Sequence, residues 1–435
     1  MFGIKTRIYK RINALYADKS IKYDRKQFRA ELGDTVFKGF EGVDISKVYD
    51  ILCIHGKRSL IDCINDVINI IAYRYYYVES KASEDLNGKI CMCVLPTYDF
   101  YRRDMVDRFE KICSLIDYKI CVYGNCKRIQ FSFERLFLFF VWFRQMPKWG
   151  SIDIKLRMIA SMLEGWQIIN EYEKIRKNNN IIRCLVLCDY QPVDTIVVQY
   201  LNKKEIETVS LQHGVYSEGS IPQLKNSVAC KILVYGRQSY DLFLRCGVSE
   251  DRIVVCGFPQ MIGVEQRKRV NKRTFHKIGV VMSGYANDIS DKRMMDIVTK
   301  YSQDKDWELY LKIRIGLSKK SYCYFNDCKI KEIYSGEIDS VEFVDKMDLI
   351  ICGGSTITIE SIVRGVPVFI YSDNDRNAYP ELADYRFSDL ESLGALYDSF
   401  FSQFEEYKNK IELLKEYYCE DNVEYNYRGF FNGCK

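Results

Sequence analysis

Several features that mark other classes of protein are scarce in this sequence. Of its 435 residues only three are histidine, and the formal net charge is only +5. A charge this small does not by itself argue for nucleic-acid binding. No run of about 18 apolar residues, the length needed to cross a bilayer, is present. We therefore expect neither a transmembrane helix nor a nucleic-acid partner.

Metal-site and export patterns are also lacking. The 17 cysteines show no spacing typical of a four-ligand metal site. We interpret them as reduced thiols, which are usual in the cytosol. No signal-peptide pattern opens the sequence, so we expect a cytoplasmic protein.

What is present is an alternation of strands and helices. The chain is long enough for two or three domains with large cores. Apolar runs predict strands at 89–95, 118–123, 184–188, 207–211, 231–235, 253–256, 277–282, 307–313, 349–352 and 366–371. Helical patterns begin at Leu60 and cover 193–201 and 238–246, while 51–54 is an apolar run and 127–180 a polar and amphipathic region. Strands alternating with helices predict an α/β fold, in which parallel sheets carry helices on both faces.

The most informative segment is 351–371. An apolar run ends in Gly353-Gly354, a short helix follows and stops at Gly365, and a second apolar run begins after Pro367. This order predicts a strand, a glycine turn, a helix and a strand, which presents a helix N-terminus to an anion.

The start of this helix carries polar side chains suited to a ligand. Ser355 and Thr356 add hydroxyl donors, and Glu360 lies one turn later on the same face, where it could accept hydrogen bonds from sugar hydroxyls. The alternative is an ordinary strand-to-helix turn with a serine cap.

This segment resembles the nucleotide-binding segment of the two-domain glycosyltransferases called GT-B, whose fold the UDP-GlcNAc 2-epimerases share. The likeness over the whole chain covers about residues 183–390. It implies two doubly wound Rossmann-like domains with an inter-domain cleft. It also implies that Gly354, Ser355 and Thr356 hold the donor phosphates and that Glu360 holds the ribose or the sugar.

A second motif, Gln212-His213-Gly214, follows the predicted strand 207–211. It resembles the end of the N-terminal domain in GT-B enzymes of bacterial surface-polysaccharide synthesis. His213 is our candidate catalytic residue, as a general base or a phosphate donor. A loop histidine bonded to a nearby carbonyl is the alternative. Asp189, which ends the strand 184–188, is a second candidate base, and a helix-capping role is equally compatible.

The other site assignments rest on position. Lys312 and Arg314 lie on one side of a predicted strand and could neutralise a diphosphate, and Gly284, after the strand 277–282, belongs to the same donor side. The relatives that use activated polyols or Kdo carry a His-Pro pair here, so its absence argues against those substrates. His55, Lys57 and Arg58 form the acceptor-side candidate, with a basic turn at a helix start as the alternative.

The expected domain organisation has four parts. An acceptor-side Rossmann-like domain covers 1–263 and a Lys- and Arg-rich linker covers 264–277. A nucleotide-sugar-binding domain covers 278–400, and a C-terminal helix within 401–435 crosses back to the first domain, as in GT-B relatives.

Two stretches suggest a membrane surface. Residues 2–15 mix basic and apolar side chains, and the apolar core 136–143 is flanked by Arg135, Arg144, Trp142 and Trp149. Such a segment suits a helix at the bilayer interface. A buried core helix is the alternative.

Taken as a resemblance, these motifs imply a glycosyltransferase that moves a sugar from a nucleotide-sugar donor to a glycan or lipid-linked glycan acceptor in surface polysaccharide synthesis. It would be cytoplasmic, with peripheral contact at the inner face of the membrane. We expect no cofactor and no metal, because helix dipoles and Lys or Arg can carry the diphosphate charge. A nucleotide-sugar 2-epimerase and a non-catalytic glycan-binding or scaffold protein are the alternatives.

Overall fold

A computed structural model describes residues 25–54, 58–74, 77–79, 89–94, 103–116, 119–123, 128–129, 131–178, 180–264, 274–282, 289–313, 330–372 and 379–432. The chain forms two compact units, each built from several segments. The first unit takes 1–97, 118–211 and 222–231, and the second takes 98–117, 212–221 and 232–435. The predicted division into domains at 263, 277 and 400 stays a prediction.

The first unit contains a mainly parallel sheet. Tyr77–Glu79 is the edge strand and runs antiparallel to its neighbour. The next four strands run parallel to one another, in the spatial order Lys119–Tyr123, Lys89–Val94, Asn180–Val186 and Glu207–Leu211. Its helices are Arg25–Asp34, Ile45–Ile54, Leu60–Ala72, Phe133–Gln145, Ile152–Asn178 and Pro192–Lys203. The long helix Ile152–Asn178 packs against Leu60–Ala72 and Pro192–Lys203 over a core that includes Trp142.

The second unit contains a six-stranded parallel sheet. Its spatial order is Ile330–Tyr334, Glu308–Lys312, Lys277–Val281, Leu349–Cys352, Val368–Tyr371 and Arg386–Phe387. All residues of Leu349–Cys352 and Val368–Tyr371 are buried, which explains their unbroken apolar sequence, since helices cover both faces of a parallel sheet. The strands Lys231–Val234 and Ile253–Val255 also pair in parallel.

The helices of the second unit are Arg103–Cys113, Arg237–Arg245, Ile289–Ser302, Ser340–Lys346, Ile357–Val363, Leu390–Ser402, Phe404–Tyr418 and Val423–Asn432. In Phe404–Tyr418 the side chains of Tyr407, Ile411 and Leu414 are buried, as their spacing predicts. Val423–Asn432 packs beside Gly257, where an added Cβ would lie 2.6 Å from Val423 Cγ2.

The predicted α/β class with two largely parallel sheets is confirmed, and most strands agree with prediction to within two residues. Two assignments differ. The apolar run 51–54 ends the helix Ile45–Ile54, and the strand predicted at 184–188 is Asn180–Val186. Sequence reasoning missed the edge strand Ile330–Tyr334, whose sequence Ile-Lys-Glu-Ile-Tyr has neither an unbroken apolar run nor a regular alternation. Residues 2–15 and most of the predicted linker lie outside the described residues.

Candidate functional site

The candidate site begins at one edge of the six-stranded sheet. The strand register places Val281 level with both Lys312 and Cys352, so Lys312 and the chain that leaves Cys352 lie at the same edge of the sheet, on either side of the strand Lys277–Val281. The following turn passes through Gly354 at φ +81° and reaches the helix Ile357–Val363. Because this φ lies in the left-handed region that favours glycine, the second glycine of the pair is required by the turn itself.

The Gln-His-Gly turn is held by the side chain of its glutamine. Gln212 Nε2 donates to the Gly214 carbonyl at 2.8 Å, and Gln212 Oε1 accepts from the Tyr235 backbone N–H at 2.8 Å. His213 is therefore fixed in a half-buried position, with its ring 6.3 Å from the ring of Tyr216.

The two motifs meet in the second unit. A Cβ built on Gly214 would lie 3.7 Å from Thr356 Oγ1, so the turn rests against the start of the helix Ile357–Val363. Residues about 140 positions apart thus come together at one place, as a site formed at strand ends requires.

Arg108 is part of this place, and sequence reasoning missed it. It lies in the helix Arg103–Cys113 and is only 6% exposed. Its Nη1 donates to the His213 carbonyl at 2.5 Å and to the Tyr235 hydroxyl at 3.0 Å, and its guanidinium stands 5.6 Å from the Phe258 ring centroid. A buried arginine held this way is a fixed positive charge behind the turn.

Glu360 is the buried acid of the site. It is 3% exposed, and burial raises its pKa to about 7. A hydrogen bond from Ser340 and the positive charges of Arg108 and Lys312 oppose that rise, while Asp339 adds to it. Its Oε2 has no hydrogen-bond partner among the described residues. At neutral pH this carboxyl can therefore either donate or accept a proton.

Lys312 supplies the second cation of the site. Its Nζ donates to the Ile338 carbonyl at 3.1 Å and lies 5.4 Å from the Phe343 ring centroid. The ammonium is half-buried, and its positive charge favours the ionised form of Glu360.

The glycine turn does not present all of its N–H groups outward. Burial raises the pKa of the Cys352 thiol, and the backbone N–H groups of Gly354 and Ser355 oppose that rise, which places them near its sulfur. Ser355 and Thr356 are half-buried, and the Thr356 side chain makes no capping hydrogen bond. Their hydroxyls are accordingly the better candidates for ligand contact than the turn amides.

Asp189 has a structural role in the first unit. It is fully buried, and its Oδ2 accepts hydrogen bonds from the Ser227 hydroxyl at 2.7 Å and from the backbone N–H groups of Val228 and Ala229 at 2.5 and 2.6 Å. These three hydrogen bonds hold the loop 227–229 against the Asp189 side chain. Its role as a second candidate base stays a prediction.

The other predicted site residues stay predictions. His55, Lys57, Gly284 and Arg314 lie outside the described residues. Arg58 is exposed in the first unit and donates to Asp66 at 2.5 Å, as a basic turn before a helix does.

The described ranges contain no cluster of three His, Cys, Asp or Glu side chains placed to hold a metal ion. Sequence reasoning overlooked Asp373-Asn374-Asp375, which comes one residue after the strand Val368–Tyr371. That Asp-x-Asp segment lies outside the described residues.

No protein-family model and no curated protein sequence matches this chain. Solved structures do. The UDP-GlcNAc 2-epimerase of Neisseria meningitidis, bound to UDP-GlcNAc, is 12% identical with a TM-score of 0.50, and the match covers 79% of this chain and 99% of that one. A second UDP-N-acetylglucosamine 2-epimerase is 12% identical with a TM-score of 0.50, over 80% of this chain and 97% of its own.

A lipopolysaccharide outer core galactosyltransferase is also similar, at 12% identity over 79% of this chain and 99% of its own, but its TM-score is 0.45. A score below 0.5 does not establish a shared fold. A sequence identity of 12%, as found for the two epimerases, shows a shared fold and nothing more specific. The chain therefore has the two-sheet α/β fold of GT-B type that these epimerases share.

Proposed function

We propose that this protein is a glycosyltransferase that moves a sugar from a nucleotide sugar to a glycan or lipid-linked glycan acceptor in surface polysaccharide synthesis. The observation that carries the proposal is the meeting of the His213-Gly214 turn with Thr356, beside the buried acid Glu360 and two cations. These side chains provide the chemical groups that the transfer of a sugar from a nucleotide diphosphate sugar needs.

Each residue of the candidate site would have a role that follows from its side-chain chemistry. The hydroxyls of Ser355 and Thr356 donate to the diphosphate, and Lys312 balances its charge. Arg108 donates hydrogen bonds to the His213 carbonyl and the Tyr235 hydroxyl. It therefore holds the turn in place and contributes a fixed positive charge. Glu360 accepts hydrogen bonds from the ribose or the sugar. His213 takes the proton of the attacking acceptor hydroxyl.

A nucleotide-sugar 2-epimerase is the second candidate. It is favoured by one observation, that the two structures with TM-scores of 0.50 are both 2-epimerases. An epimerase needs no acceptor, whereas a transferase without acceptor can at most hydrolyse its donor slowly.

The test has two steps. Thermal unfolding is first followed with UDP, GDP, TDP and CMP, because a ligand bound to the native state raises its unfolding temperature. The matching nucleotide sugar is then incubated with the enzyme, with and without glycan acceptors, and the products are separated. Transfer only with acceptor supports the proposal, and a sugar inverted at C2 without acceptor supports the epimerase. No stabilisation by any nucleotide would reject both.

Two variants test whether nucleotide binding depends on the candidate site. Lys312→Ala should weaken nucleotide binding by about 1–3 kcal/mol, the value of a hydrogen bond to a charged group. Lys346→Ala is the matched control, since Lys346 is an exposed lysine of the same unit that pairs with Glu342, four residues earlier, at 2.7 Å. Equal affinities in the two variants would remove Lys312 from the binding site.

A further inference from the structure

A stripe of phenylalanines on the helix Phe133–Gln145 faces solvent. Phe133, Phe137 and Phe140 are 81%, 57% and 53% exposed, and Phe131, just before the helix, is 52% exposed. Their spacing of four and three residues places the helical members on one face. Exposed apolar residues are common singly, but a contiguous group of large ones usually marks an interaction surface.

The opposite face fixes the helix in this orientation. Leu138 and Trp142 are buried, Arg135 donates to the Ile70 carbonyl at 2.5 Å, and Trp142 Nε1 donates to the Lys38 carbonyl at 3.0 Å. The sequence suggested Arg135 and Trp142 as interfacial residues, and the structure places both in the core. The phenylalanines cannot turn inward without breaking these contacts.

Basic side chains border the stripe. Lys38 Nζ lies 5.5 Å from the Phe137 ring centroid, and Arg144, exposed, continues the stripe one turn beyond Phe140. Lys148, also exposed, comes just after the helix end. Two exposed acids, Glu134 on the helix and Asp34 two residues before Val36, stand against the three cations Lys38, Arg144 and Lys148.

The neighbouring loop extends the same surface. Val36 is 66% exposed, and its carbonyl accepts from Gln145 Nε2 at 3.4 Å, which keeps this loop beside the helix. We call Val36, Phe131, Phe133, Phe137 and Phe140, with their bordering cations, the phenylalanine face.

We propose that the phenylalanine face docks on an anionic lipid bilayer. The helix would lie in the plane of the interface, with the phenylalanine rings at the headgroup and acyl boundary and with Lys38, Arg144 and Lys148 against the headgroups. None of the helices in the described ranges is both long and apolar enough to span a bilayer. The docking is therefore one of a surface helix, and it does not depend on which reaction the protein catalyses.

The charges favour a membrane over a second copy of this chain. In a symmetric dimer the same face meets itself, so the bordering cations of one copy would approach those of the other. An anionic bilayer instead attracts every one of them.

The test is co-sedimentation of the full-length protein with vesicles of phosphatidylcholine alone and with about one third phosphatidylglycerol. We expect binding to the anionic vesicles that weakens at high salt. Phe137→Ser with Phe140→Ser should lower the partition coefficient at least about tenfold for each ring removed from the bilayer. Leu413→Ser is the matched control, because Leu413 is a large apolar side chain of the second unit, 73% exposed on the helix Phe404–Tyr418, and should not change binding.

A second pair of variants tests the charges. Lys38→Gln with Arg144→Gln should reduce binding to the anionic vesicles about fivefold for each charge removed, and should leave binding to neutral vesicles unchanged. Circular dichroism checks that each variant is folded. The proposal is overturned if the wild-type protein does not sediment with anionic vesicles, or if the phenylalanine variant sediments as well as the wild type does. It is also overturned if these substitutions only turn a dimer into a monomer.

Discussion

At the residue scale, the pKa of Glu360 is set by effects that oppose one another. Burial disfavours the carboxylate, while the Ser340 hydrogen bond and the nearby charges of Arg108 and Lys312 favour it, and burial dominates. A carboxyl that stays half-protonated near neutral pH is unusual for a purely structural residue, and raised pKa values of this kind cluster at functional sites.

This balance makes a prediction about stability and pH. The pKa of Glu360 is about 7 in the folded protein against an ordinary value of 4.5, so the folded state binds the proton more tightly. Stability should therefore fall as the pH rises from about 4.5 and level off above about 7. Between pH 5 and 8 the wild type should lose about 2–3 kcal/mol more than Glu360→Gln in urea unfolding. Parallel pH profiles would contradict the assignment.

A second prediction at this scale concerns catalysis. If His213 takes the proton of the acceptor hydroxyl, His213→Ala should lower turnover by about 10²–10⁴-fold and leave nucleotide binding nearly unchanged. His276→Ala is the control, because His276 is an exposed histidine of the same unit, 3.2 Å from Asp306. Near-normal turnover in the His213 variant would move the proton transfer to another group.

At the scale of single elements, the turn at Gly354 invites a direct test. Gly354→Ala forces a side chain into φ +81°, which should cost about 1–2 kcal/mol of unfolding free energy and displace Ser355 and Thr356. Gly394→Ala is the matched control. Gly394 lies inside the helix Leu390–Ser402 with its nearest neighbour 3.5 Å from an added Cβ, so the change should be neutral or slightly stabilising. Chemical denaturation of both variants measures the difference.

The individual elements also show which parts of the candidate site could be predicted from the sequence. The motif 353–360 and the turn at 212–214 could be found because glycine, histidine and hydroxyl residues stood directly after apolar runs of strand length. Asp189 passed the same criterion, yet its partners Val228 and Ala229 lie 39 and 40 residues away. Arg108 is 105 residues from His213, its acceptor. Burial and partners that distant are set by tertiary packing, which single-sequence patterns do not encode.

At the scale of the whole molecule, the C-terminal helix ties separate segments of the second unit together. In Val423–Asn432, Glu424 accepts from the Gly263 N–H at 2.9 Å, the Tyr427 hydroxyl donates to the Gly257 carbonyl at 3.4 Å, and Phe431 is fully buried. The chain just before it also packs closely, because an added Cβ at Gly236 would lie 2.5 Å from the backbone of Tyr418.

The end of the chain should therefore be part of the fold and not an appendage. A protein ending at Asp421 loses the buried side chains of Val423, Tyr427 and Phe431, and each large apolar side chain taken out of a core costs about 2–5 kcal/mol. We expect a lower unfolding temperature and dye binding to newly exposed apolar surface. Tyr425→Ala, at a site 76% exposed on the same helix, should change neither. Because the helix contacts Gly257, whose neighbour Phe258 lies against the Arg108 guanidinium, its loss should also weaken nucleotide binding. A truncated chain that stays as stable and binds nucleotide as well as the full chain would show that this helix supports neither the fold nor the site.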